Sequence, residues 1–268
     1  METNILDRNY VHVSGSGDRT IMFAHGFGCD QTVWKKKIVP AFESDYQVVL
    51  IDYVGSGRSD KSAYSRDRYD SLYGYAQDVI DVCDALELES IIYVGHSVSG
   101  MIGTLVSIKR PDLIDKLIML GSSPHYLNEP DYYGGFEEED IHELLDMMET
   151  NYLEWAKYLA PIATQNDELA EDFEARLKAN DPAIARQFAE VTFYSDHRED
   201  LPKIPIRTLI LQTSTDAIAP PEVGQFLQER IPGSELVTMK TAKGHNPHIS
   251  HPEETVQEIR RFIDGTGV

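Results

Sequence analysis

Ile91-Ile92-Tyr93-Val94-Gly95-His96-Ser97-Val98-Ser99-Gly100 is the stretch on which the fold turns. An apolar run enters a tight turn bearing a serine, and a helical pattern follows at once. Small residues flank the serine because so sharp a turn brings strand and helix into close crossing and leaves the hydroxyl standing above the sheet. The usual pattern at such an elbow is G-x-S-x-G. Here Ser99 takes the last position and Gly100 comes one residue later. Serine is small enough that the packing argument survives.

Outward from the elbow, short apolar runs alternate with longer amphipathic stretches, as a mostly parallel sheet flanked by helices requires. Strands are expected at 20–25, 47–53, 91–95, 117–121, 207–212 and 235–239, and helices at 72–86, 98–110, 221–231 and 252–262. Residues 9–15 add an edge strand or two. Several of the strands are almost continuously apolar, the mark of burial on both faces. No convincing strand falls between 121 and 207, an interval too long for a bare loop in a compact domain. Apolar residues recur there at helical spacing (Ile141, Leu144, Leu145, Met148, then Trp155, Leu159, Ile162). We expect one α/β domain over residues 1–268, with 125–200 as a four-helix insert docked on the C-terminal edge of the sheet. Gly134-Gly135 marks its entrance, and Pro202 and Pro205 its exit.

Composition narrows the function. The 24 Lys and Arg stand against 45 Asp and Glu, a formal charge of −21. A surface so acidic repels nucleic-acid phosphates and anionic headgroups, so neither nucleic acid nor a membrane is an expected partner. Within 134–200 there are 18 acidic against 5 basic residues, a net of −13 that is over half of the total. Beyond solubility, that charge would steer a basic protein surface toward the insert. Cys29 and Cys83 are the only cysteines, so no secreted disulfide framework is present and no zinc-ligand cluster is spelled out. The first residues lack an apolar signal core, and no run approaches the length of a membrane span. The expected location is the cytoplasm.

A serine hydroxyl is a poor nucleophile at neutral pH and needs a base within reach. When an elbow serine of this kind has triad partners, they follow it in the order acid, then histidine. Asp216 lies four residues beyond the strand RTLILQ, and His245 follows ELVTM in Lys243-Gly244-His245-Asn246. Both are loops at the C-terminal ends of strands, the edge where open α/β sheets hold their sites. His248 and His251 compete as base, but they fall nearer the last helix, whereas His245 follows its strand directly after a glycine. His96 is read as support for the elbow and Ser99 as turned away from the site. His25-Gly26-Phe27-Gly28, straight after TIMFAH, offers a backbone N–H to pair with that of Val98 as an oxyanion hole. Asp52-Tyr53-Val54-Gly55-Ser56-Gly57-Arg58-Ser59 lacks the register and lysine of a phosphate loop and reads as a tight turn.

With these residues in hand, the chain resembles the RsbQ-type α/β-hydrolases, a group that includes the bacterial sigma-B energy-stress regulator and the plant strigolactone and karrikin receptors. The resemblance rests on 25–31, 52–57, 95–99 and 195–201 (Ser195-Asp196-His197-Arg198-Glu199-Asp200-Leu201), and on Tyr132-Tyr133-Gly134-Gly135-Phe136 in the insert. It implies an α/β-hydrolase fold with a V-shaped lid over a deep apolar pocket, Phe27 and Val98 as oxyanion amides, and Phe136, Trp155, Phe193 and Tyr194 as pocket walls. It also implies slow hydrolysis of a small apolar ester or lactone, coupled to signalling through a protein partner. In the bacterial regulator that partner is the PAS-containing phosphatase RsbP. The chemistry requires neither metal nor organic cofactor. A metabolic esterase or carbon–carbon-bond hydrolase, and a binding module retaining the triad as ligand contacts, are the rival expectations.

Overall fold

The computed structural model describes residues 4–265. Among them, seven strands form one sheet: β1 (His12–Ser14), β2 (Arg19–Ala24), β3 (Tyr46–Leu50), β4 (Ile91–His96), β5 (Ile114–Leu120), β6 (Arg207–Gln212) and β7 (Glu235–Thr238). The helices are α1 (Ile5–Arg8), α2 (Thr32–Lys35), α3 (Leu72–Ala85), α4 (Val98–Lys109), α5 (Glu138–Thr150), α6 (Tyr152–Thr164), α7 (Asp167–Ala179), α8 (Pro182–Phe193), α9 (Pro221–Arg230), α10 (Pro247–Ser250) and α11 (Pro252–Asp264). The spatial order is β1-β3-β2-β4-β5-β6-β7. Only β1 runs antiparallel, pairing His12 with Leu50.

β4 lies at the centre with every residue buried. Successive side chains of a strand point to opposite faces, so its apolar run feeds two cores at once. Ile92 and Val94 pack with Phe23, Trp34 and Ile118 on one face. Ile91 and Tyr93 pack with Val79, Ile102 and Met119 on the other. Continuous apolarity along β4 is thus the sequence image of two-sided burial.

Two strand expectations shift, each for a reason visible in the backbone. The apolar run 47–53 yields a strand only to Leu50, because the Asp52 N–H is taken by the Asn9 carbonyl at 2.9 Å and the Tyr53 N–H by His25 Nε2 at 3.2 Å. β5 begins at Ile114 rather than 117, since its first turn-side residues Asp115 and Lys116 are polar and hide the strand start. It ends before Gly121, whose φ of 59° leaves the sheet conformation.

Between β5 and β6 the chain forms α5 to α8, an all-helical insert at the C-terminal ends of the strands. Its acidity follows in part from how its helices start. Glu138, Glu139 and Asp140 occupy the first turn of α5, and Asp167 and Glu168 that of α7, where carboxylates meet the exposed amides of a helix N-terminus. Asn166 and Asp181 cap α7 and α8 through their side-chain oxygens. The insert touches the sheet side through the His245 N–H to the Ala163 carbonyl at 2.9 Å and Asn180 Nδ2 to the Gly28 carbonyl at 3.3 Å. At its base, Arg198 binds Glu129 at 2.9 Å and Asp196 at 2.6 Å, tying the chain entering the insert to the chain leaving it.

The turn after β3 fixes the loop that carries Phe27. Buried Asp52 accepts the Gln31 N–H through Oδ1 at 2.8 Å and the Arg58 N–H through Oδ2 at 2.9 Å. Asp52→Ala orphans both amides. We predict a loss of about 1–3 kcal/mol in urea unfolding at unchanged m-value, because the Gln31 amide is a buried donor left unmatched, whereas Arg58 is exposed and its amide can turn to water.

Candidate active site

At the β4–α4 turn Ser97 has φ 55° and ψ −126°, a strained backbone for a residue with a Cβ. Its neighbours permit the turn. A Cβ on Gly95 would lie 2.5 Å from the Ser99 backbone carbonyl, so strand and helix cross there with no room for a side chain. Gly26 is needed for the same reason, because a Cβ would meet His96 Nδ1 at 2.5 Å. Where the usual elbow has its last glycine, Ser99 donates to the His25 carbonyl at 2.5 Å and accepts from the Tyr53 hydroxyl at 2.8 Å. The departure from the pattern therefore has a use. Ser99 ties the elbow helix to the loop bearing Phe27 and is turned away from the serine site.

Ser97, His245 and Asp216 form one hydrogen-bonded line, all of them buried. The Ser97 Oγ to His245 Nε2 distance is 2.8 Å, and that from His245 Nδ1 to Asp216 Oδ2 is also 2.8 Å. A carboxylate accepts, so the imidazole proton sits on Nδ1 and Nε2 is left to accept from the serine hydroxyl. Asp216 Oδ1 accepts the Ile218 and Ala219 amides at 2.8 and 3.1 Å, which fixes the carboxylate plane.

The loop bearing His245 is held on every side. The Gly244 N–H donates to the Thr215 carbonyl at 2.8 Å, and Thr213 Oγ1 to the Gly244 carbonyl at 3.0 Å. His96 donates from Nε2 to the His245 carbonyl at 2.8 Å. Glu254 on α11 gathers the amides of Lys240, Thr241 and Ala242 with the Thr241 hydroxyl. Burial works against ionisation there, yet those donors hold its carboxyl below the ordinary value.

The competing histidines are placed elsewhere. His248 is fully buried and stacked on Trp34 with ring centroids 4.3 Å apart, and His251 bonds Ser250 at the start of α11. Burial, with the adjacent His245 and Arg176, pushes the pKa of His248 down from 6.5 to about 3. Burial likewise holds His96 well below its ordinary value, with His248 and His245 adding to the effect. Both are neutral imidazoles at neutral pH.

Neither the Phe27 nor the Val98 N–H is taken up by another backbone group. Val98 opens α4, where the first amides have no intrahelical acceptor. Above them is a narrow chamber with about 30 Å3 of free space, walled by Phe27, Leu159, Phe173, Phe193 and Ile218 beside Ser97 and His245. Of the four aromatic residues expected as walls, Phe193 lines it. Trp155 and Phe136 stand behind, against Phe27 at 6.1 Å and Phe193 at 5.8 Å. Tyr194 does not face the chamber. It lies one residue past α8, 39% exposed, in an outer groove with Arg66 and His197, because successive residues at a helix end point about 100° apart. That groove is larger than the chamber but holds no nucleophile–base pair.

Tyr126 was not foreseen. It is buried in the chamber wall, its hydroxyl beside Ser97 without completing a hydrogen bond, and burial raises its pKa so that it stays a neutral donor. Its only mark in the sequence is a position just past the C-terminal end of β5. Among the described residues, His125, Glu129 and Asp196 form the one group with metal-ligand spacing, and both of its carboxylates are bound by Arg198.

The fold and this line of three residues define an α/β-hydrolase. The sequence profile of the alpha/beta hydrolase fold family matches residues 19–252, and the chain belongs to that family. Karrikin insensitive 2 receptor CA of Petunia hybrida is 40% identical to it over 262 residues, 97% of each chain. A strigolactone esterase of Arabidopsis thaliana is 39% identical over 262 residues, 97% of this chain and 98% of that one. A hydrolase from Oleispira antarctica superposes with a TM-score of 0.94 at 40% identity, over 97% of this chain and 96% of the other. No described helix is long and apolar enough to cross a membrane.

The buried neutral histidines give stability a sign with pH. Unfolded His248 takes a proton near 6.5, whereas in the folded protein it waits until about 3. Between those values the unfolded state binds more protons, so stability is full above 6.5 and falls as pH drops through that window. We predict that His248→Phe flattens the fall by up to about 1.4 kcal/mol per pH unit, measured by urea unfolding from pH 6.5 to 4.

Proposed function

We propose that this protein is a serine hydrolase that cleaves a small, largely apolar ester or lactone through an acyl-enzyme. The observation that carries this reading is the Ser97–His245–Asp216 line opening into an apolar chamber. His245 Nε2 takes the Ser97 proton as Oγ attacks the carbonyl, and Asp216 orients the ring and balances the imidazolium. The Phe27 and Val98 amides meet the oxyanion as its charge develops, each worth about 10²–10³ in rate. His245 returns the proton to the leaving group, then activates water to release the acid. Tyr126 supplies a third donor beside the reacting carbon. No metal or organic cofactor enters these steps.

The reading extends to signalling by likeness. The relatives named for karrikin and strigolactone responses span nearly the whole chain, and the motifs resemble the RsbQ-type regulators. On this reading turnover is slow and a protein partner meets the acidic insert, an RsbP-type phosphatase if the chain serves as the bacterial regulator does.

Rapid mixing with a short-chain aryl ester tests the chemistry. We expect a burst of one equivalent of phenol followed by slow turnover, and no burst with Ser97→Ala. Fast linear turnover would point instead to a metabolic esterase, and a surviving burst in Ser97→Ala would exclude Ser97 as nucleophile. Tyr126→Phe should lower kcat/KM about ten- to hundredfold while leaving the fold intact, because it deletes a donor that no other residue uses.

A further inference from the structure

The chamber is mostly carbon, yet its wall holds buried polar atoms that nothing in the protein satisfies. Asn246 lines it, is 2% exposed, and has no hydrogen-bond partner on either Oδ1 or Nδ2. Thr192 on α8 lines it too, also 2% exposed, with an unmatched Oγ1. The hydroxyl of Tyr126 and His96 Nδ1 complete the set. Buried polar side chains in folded proteins are nearly always paired, and an unpaired primary amide is costly. A leucine would fill the same volume without that cost. A buried, unmatched amide turned to a ligand chamber is therefore a group waiting for a ligand atom.

We propose that Asn246 is a specificity-determining residue that selects substrates bearing a hydroxyl within the chamber, on an otherwise apolar ester or lactone. Its Oδ1 accepts and its Nδ2 donates, so one hydroxyl satisfies it from either side, with Thr192 Oγ1 as a second site of exchange. Apolar walls alone discriminate weakly between a methylene and a hydroxyl. A site built to hydrogen-bond the hydroxyl rejects the analogue that lacks it, because its own polar atoms are then left unpaired. Asn246 sits next to His245 in the chain, so the group it reads lies close to the reacting carbonyl.

This inference rests on the hydrolase reading, and the two can fail separately. The experiment compares kcat/KM for aryl hexanoate with its 2-hydroxy and 3-hydroxy counterparts, in the wild type, Asn246→Leu, Asn246→Ala and Ser97→Ala. We expect the wild type to prefer a hydroxy ester by about tenfold or more. Both Asn246 variants should reduce that ratio to near one, and Asn246→Leu should raise the melting temperature because it removes an unmatched amide. The proposal is overturned if the wild type shows no hydroxyl preference, or if the preference survives in Asn246→Leu or Asn246→Ala. No hydrolysis of any of the three esters by the wild type would sink the hydrolase reading instead, and hydrolysis persisting in Ser97→Ala would exclude Ser97 as its nucleophile.

Discussion

The close crossing of β4 and α4 at Gly95 is the constraint from which the rest of the site follows. With 2.5 Å between a would-be Cβ and the Ser99 carbonyl, strand and helix cross with no room for a side chain. That approach forces Ser97 into positive φ and aims its hydroxyl away from both. It also leaves the Val98 amide at the open end of the helix, beside the same oxygen. Nucleophile and oxyanion donor are thus products of one turn. The surrounding loops need only bring a base and a second amide to a point already fixed.

That dependence explains how much could be read from the chain. Ser97 follows β4 directly, Asp216 and His245 lie in the loops after β6 and β7, and parallel strands deliver their ends to one edge, so linear order stood in for spatial position. Phe27 followed by the same logic. The chamber wall did not, because it belongs to the insert, whose helices have amphipathic patterns that reveal burial but not what they are buried against. Phe136, Trp155 and Phe193 are all sheltered, and sequence has no means of separating the one that faces the cavity from the two behind it. At Tyr194 the error was a single residue, because the helix ends at Phe193 and the next side chain turns outward.

Polar residues in the wall were harder still. Tyr126 and Asn246 look like ordinary loop residues until the insert closes over them, and Thr192 like a routine position on an amphipathic helix. Their meaning lies in what they fail to bond, a property of three-dimensional surroundings that no local pattern records. Ser99 is the reverse case. It broke a motif on paper, and the structure gives it a hydroxyl ladder, Tyr93 to Tyr53 to Ser99 to the His25 carbonyl, that joins the elbow to the opposite loop.

The hydrogen bond from the His245 amide to the Ala163 carbonyl makes the last turn of α6 part of the backbone that seats the imidazole. Arg198 pins both passages of the chain at the base of the insert, while Asn180 at the end of α7 is held to the Gly28 carbonyl and Gln187 on α8 to the carbonyls of Arg66 and Tyr69. A displacement of the last turn of α6 would stretch the bond that seats His245. One hydrogen bond therefore belongs both to the wall of the chamber and to the seat of the base.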